Sequence, residues 1–158
     1  MKMENVVKEL VINCATFPKG IKAYIAFNDV GMHYCGYIEI PEEVSESLNP
    51  ELDLGVLGQH VHGGVTYDER SADTGGKRVI GFDCNHSCDY TVVKARWDSA
   101  FTANPVFPQL FNVGLIPTPQ SAAHFRTHTY VIRELENLVT ALGEFHLRTR
   151  ANPVSRRV

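Results

Sequence analysis

The 158-residue chain has no uninterrupted apolar run near the ~20 residues that a helix needs to cross a bilayer, so no segment reads as membrane-spanning. Cysteine is scarce. Cys14, Cys35, Cys84 and Cys88 are too few and too scattered for a disulfide framework, which points to free or metal-bound thiols in a reducing cytosol. The opening stretch MKMENVVKELVIN carries Glu4 and Glu9 inside its short apolar run; it does not read as a signal peptide, and a cytoplasmic location is expected. Excess positive charge is missing too. The 15 Lys and Arg stand against 18 Asp and Glu, a formal −3, so nothing draws the whole chain to nucleic acid or to an anionic membrane. Catalytic signatures are also lacking. There is no HExxH helix, and Ser87 has no Gly-x-Ser-x-Gly context. Cys84 and His86 are too close in sequence to imply a dyad. Two separated His-x-Ser/Thr units are absent, because His60-Val61-His62, His86-Ser87-Cys88 and His128-Thr129-Tyr130 all miss the pattern.

What is present is the make-up of one globular domain. A composition of 44% hydrophobic and 21% charged residues excludes a mainly disordered chain, and the length suffices for a proper core. The expected class is α+β, with an antiparallel or mixed sheet, one long C-terminal helix and a proline-rich surface segment. Ile21 to Asn28 and Tyr34 to Ile40 are rich in β-branched and aromatic residues and flank the turn Asp29-Val30-Gly31, so they read as paired strands. Glu42 to Glu46 begins an acidic helical turn limited by Pro50. Val61 to Tyr67 and Arg78 to Asp83 read as a second strand pair around the loop from Asp68 to Lys77. Pro105, Pro108, Pro117 and Pro119 break regular structure between Asn104 and Gln120, which is expected to wrap the surface.

The helix is predicted from about Thr129 to Phe145. Val131, Leu135, Leu138, Leu142 and Phe145 recur at spacings of four, three, four and three and form one stripe. That stripe packs most simply on the sheet; the same spacing fits a helix-to-helix seam and hence a homo-oligomer. Residues 1–147 are read as one domain. Residues 148–158, with Arg148, Arg150, Arg156 and Arg157, are read as a basic, flexible tail.

Chemistry concentrates between Gly58 and Tyr90. On a strand, alternation would send His60 and His62 to one face. Asp83 to Asp89 then gathers carboxylate, imidazole and thiolate within a few residues after a strand, and these are ligand types for zinc and similar divalent ions. A metal set of His62, Asp83, His86 and Asp89 follows, with Cys84 or Cys88 in reserve, although the spacing matches no zinc signature. The glycine pairs Gly63-Gly64 and Gly75-Gly76 offer another picture, in which successive N–H groups line an anion nest beside Arg70, Lys77 and Arg78. Tyr67, Phe82 and Tyr90 would give a ring something to stack on. His124 and His128, four apart near the start of the helix, read as helix-surface histidines.

The succession Cys35-Gly36-Tyr37-Ile38, Val61-His62-Gly63-Gly64-Val65-Thr66-Tyr67, Gly81-Phe82-Asp83-Cys84-Asn85-His86 and Asp89 resembles a family of small uncharacterised proteins of bacteriophages, prophages and some bacteria. That family pairs a CGYV-like strand with VHGGLTY-like and GFDCAHAGD-like pieces and a closing helix. The resemblance covers about residues 34 to 90 and, more loosely, the helix. It departs at Arg78-Val79-Ile80, where the family tends to carry tryptophans, and at Ser87-Cys88 in place of Ala-Gly. It implies no activity, but it points to His62, Gly63, Gly64, Thr66, Tyr67, Asp83, His86 and Asp89, and it implies an accessory role against host defence signalling in the host cytoplasm.

Three readings remain open. One is a pocket of His62, Gly63, Gly64, Thr66, Tyr67, Lys77, Arg78, Asp83 and His86 that binds a small nucleotide-like, phosphate-bearing ligand. Another is a hydrolase whose divalent metal, for example zinc, sits on His62, Asp83, His86 and Asp89 and activates water. The last is a protein-interaction module that inhibits a host enzyme through the helix and the proline-rich wrap.

Overall fold

A computed structural model describes residues 2–31, 33–86 and 126–151 of the chain. Five strands form one antiparallel sheet: β1 Val6–Cys14, β2 Phe17–Asn28, β3 His33–Glu39, β4 Tyr67–Arg70 and β5 Arg78–Asp83, in the order β1-β2-β3-β5-β4. Short helices α1 (Glu42–Ser45) and α2 (Asp53–Gly58) lie between β3 and β4, and α3 runs from His128 to Ala151. No helix among the described residues is long and apolar enough to cross a membrane. The α+β class and the long C-terminal helix are as the sequence reads. Asn104 to Gln120 lies outside the described residues, as do Cys88, Asp89, Tyr90 and His124.

One face of the sheet is built from the alternate positions Ile21, Ala23 and Ile25 of β2, Ile38 of β3, and Ile80 and Phe82 of β5. They form one buried cluster with Val131, Leu135, Leu138 and Leu142 of α3. The helix stripe therefore packs on the sheet. Gly36 makes the approach close: a Cβ there would stand 2.7 Å from the Phe82 ring and 3.0 Å from Val131. The opposite face is buried at its centre as well, at Tyr24, Cys35 and Val79, which is why β2 reads as an almost continuous apolar run.

Three local expectations are corrected, and one strand is added. β1 is a full edge strand; its alternation is interrupted by irregular registers at Val6/Lys8 and Ile12/Cys14, and it escaped the sequence reading. Val61 to Tyr67 is not a strand. Gly63 and Gly64 adopt φ of +66° and +90°, which breaks the extended chain, and pairing resumes only at Tyr67. The loop after β4 consequently shrinks to residues 71–77, where a 3-10 turn (Ala72–Thr74) ends on the left-handed Gly75. The closing helix continues to Ala151, so Arg148 and Arg150 sit in its last turn, where cations complement the helix dipole.

Candidate functional site

The turn after α2 carries His62 to the N-terminal end of α3. Its backbone N–H donates to Glu134 Oε2 at 2.7 Å, and its Nδ1 is hydrogen-bonded to the Tyr130 hydroxyl at 3.1 Å. The His86 ring meets the His62 ring edge-on with centroids 5.1 Å apart. Gly63 permits this contact, because a Cβ there would fall 1.9 Å from His86 Cε1. Two residues far apart in sequence thus share one half-buried imidazole cluster with the start of α3.

Asp83, at the end of β5, is held locally. Thr66 Oγ1 donates to Oδ2 and the Asn85 N–H to Oδ1, both at 3.0 Å, and the Thr66 N–H donates to the Gly81 carbonyl at 2.9 Å. Asp83 and Thr66 therefore act as a brace between the turn and β5. Among the described residues, no three of His, Cys, Asp and Glu gather closely enough to hold a metal ion. Cys84, the thiol held in reserve, is buried in the hydrophobic core. His60 parts from His62 because the segment is a turn; it borders a hollow of about 240 Å³ with Asn137, Thr140 and Glu144 of α3.

The remaining sequence candidates belong elsewhere. Arg78 is buried, with Nε and Nη2 gripping Asp68 Oδ1 and Oδ2 at 2.7 Å each, while Nη1 donates to the carbonyls of Ser45 at 2.9 Å and Leu48 at 3.0 Å. It anchors α1 and the segment after it to β5. Lys77 Nζ lies 2.6 Å from Glu39 Oε2, and the Tyr24 hydroxyl donates to the other oxygen of Glu39. Burial works to raise the Glu39 carboxyl, but the bonds from Lys77 and Tyr24 outweigh it and hold it below its ordinary value. Arg78 starts the strand that Asp83 ends, about 16 Å away along the backbone, and Lys77 lies one residue further. Tyr67 packs edge-on against Tyr37 at 5.2 Å and donates to Glu69 Oε2 at 2.9 Å; burial and then Glu69 push its phenol up to about 12. Phe82 lies in the core and offers no stacking face. The Gly64, Gly75 and Gly76 N–H groups bond within their own turns, to Val61, Ala72 and Ser71 carbonyls, so neither glycine pair forms the open nest expected.

The cations at the His62 cluster come from α3 and its approach. The Arg126 guanidinium lies 4.5 Å from the Tyr130 ring centroid and that of Arg133 lies 5.5 Å from it, at contact distance for cation–π attraction. Thr127 caps the helix, its Oγ1 accepting the Tyr130 N–H at 3.3 Å. The N-terminus of so long a helix contributes roughly half a unit of positive charge. Among the described residues, Glu134 accepts the His62 N–H, and Asp83 accepts the Thr66 hydroxyl and the Asn85 N–H. Two imidazoles, two guanidiniums and a phenol therefore meet at one end of the sheet, a constellation chemically suited to an anion. The Thr127 cap was a legible helix-start signal; the two arginines became legible only with the helix register known. The chain matches no protein-family model, no curated protein and no solved structure.

Proposed function

We propose that this protein binds a small phosphate-bearing ligand at the His62–His86–Tyr130 cluster. One observation carries the reading: Arg126 and Arg133 both lie against the Tyr130 ring, whose hydroxyl holds His62 beside His86. Guanidiniums bind phosphate oxygens through paired N–H donors, and imidazoles add further donors. The Tyr130 ring is already faced by Arg126, Arg133 and His62, so the phosphate rather than a stacked base is what the site recognises. A nucleotide as the natural ligand, and a role in countering host defence signalling, belong to the same proposal and rest on the phage-family resemblance.

The test is calorimetric titration with pyrophosphate, ATP and adenosine, on wild type and Arg133→Ala. Arg133 is exposed, so its removal spares the fold. Losing a charge-assisted hydrogen bond worth about 1.5–3 kcal/mol should weaken phosphate binding about 10- to 100-fold. Adenosine should give no heat. Equal binding of adenosine and ATP, or no binding of either phosphate, refutes the reading. Binding that needs added zinc would return the metal-dependent alternative.

A further inference from the structure

The two edges of the sheet differ. β4 is short and carries Asp68, Glu69 and Arg70, a charged run of the kind that blunts an edge. β1 is long, and among the described residues no strand pairs with its outer side. Its second register irregularity belongs to β2: Asn13 alone separates Ile12 from Cys14, whereas Pro18, Lys19 and Gly20 separate Phe17 from Ile21. Residues 8–14 of β1 therefore run regularly. Glu9, Val11 and Asn13 are exposed on one face, and Leu10, Ile12 and Cys14 are turned to the core.

Two large apolar side chains are left in water along this edge. Val11 is 58% exposed. Leu147, 57% exposed, follows by one helical turn the Gly143 that faces Cys14 and Thr16, so it stands on the β1 side of α3. Val11 is also the midpoint of the regular run. Antiparallel self-pairing about it sets Val11 against Val11, Leu10 against Ile12, Glu9 against Asn13 and Lys8 against Cys14. No like charges meet. The Asn13 amide is a donor for the Glu9 carboxylate, and Lys22 of the same chain already lies 3.1 Å from Glu9 as its counter-charge. A two-fold interface must match itself, and this run does.

We propose that two copies of the chain associate edge to edge through β1, on a two-fold axis at Val11, into one continuous antiparallel sheet. The seam replaces the helix stripe, which packs on the sheet, as the route to a homo-oligomer. It uses none of the residues of the His62 cluster and does not depend on the phosphate reading. A single strand seam is at the low end of interface sizes, so association in the micromolar range is expected.

The test is sedimentation velocity from about 1 to 300 µM on wild type, Val11→Lys, Val11→Glu and an equimolar mixture of the two variants. Each substitution sets like charges opposite each other on the axis. Val11 is exposed, and unchanged circular dichroism will show that both variants fold. Wild type should dimerise, and each variant alone should associate at least about tenfold more weakly. The mixture should recover the dimer, because position 11 then meets its opposite charge. A wild type monomeric throughout, which would leave the edge to a strand of another protein, overturns the proposal. So does a Val11→Lys variant as dimeric as wild type, or a mixture no more associated than its parts.

Discussion

Arg78→Met removes a buried guanidinium while keeping an unbranched side chain of similar reach. The arginine side chain is 10% exposed and that of its partner Asp68 is 21% exposed, so solvent screens the pair little. Four hydrogen bonds vanish, two to the Asp68 carboxylate and two to the Ser45 and Leu48 carbonyls. Breaking a buried pair by deleting one partner costs about 3–5 kcal/mol, because the remaining charge stays unpaired. The residual exposure of Asp68 places the expected loss at the lower end, about 3 kcal/mol, or a fall in Tm of roughly 6–12 °C at 2–4 °C per kcal/mol for a domain of this size. Urea denaturation followed by circular dichroism reads this directly. The double variant Asp68→Asn/Arg78→Met should recover part of the loss, because no carboxylate is then left unpaired. Pyrophosphate affinity should stay within twofold of wild type at a temperature where the variant is folded. A loss below about 1 kcal/mol, or unchanged stability with abolished phosphate binding, would refute the structural assignment and return Arg78 to the ligand.

Gly63→Ala should cost about 1–2 kcal/mol through left-handed backbone alone and abolish pyrophosphate binding, since the His86 ring must move; Gly64→Ala, whose Cβ meets nothing within 4 Å, should keep binding. Leu138→Ala, at a fully buried position of α3, should lose about 2–5 kcal/mol in urea denaturation without altering affinity. In alkali, burial raises the Cys35 thiol from 9.0 to about 11, and burial with Glu69 raises the Tyr67 phenol from 10.0 to about 12. Folded values above the unfolded ones mean stability that is fully present below pH 9 and is lost as pH climbs through 11 and 12. Denaturation midpoints should fall across that window, with phenolate absorbance at 295 nm lagging behind that of the unfolded chain; a flat profile to pH 12 contradicts this.

The helix stripe and the central strands were legible because each rests on a local rule. Val131, Leu135, Leu138 and Leu142 follow the helical period, and Ile21 to Asn28 is β-branched and aromatic. The turn at Val61 to Thr66 was not, because VHGGVTY also satisfies the composition of a strand, and only the positive φ of Gly63 and Gly64 decides between them. His62 and His86 were singled out for their chemistry, but the contact of their rings depends on the close approach at Gly63. Lys77 and Arg78 were misassigned for a different reason. Their acidic partners, Glu39 and Asp68, are reached across strands, and nothing in a Gly-Gly-Lys-Arg run records that neutralisation. Arg126 and Arg133 were passed over because each looks like an ordinary surface cation until the register of α3 sets both beside Tyr130.

The most direct test of the central claim is a map of backbone amide shifts in a ¹H–¹⁵N spectrum as pyrophosphate is added. The account predicts that the saturable shifts concentrate on His62 to Thr66, His86, and Arg126 to Glu134, with Lys77 and Arg78 unmoved. Shifts centred on Gly75 to Arg78, or none that saturate, would contradict it.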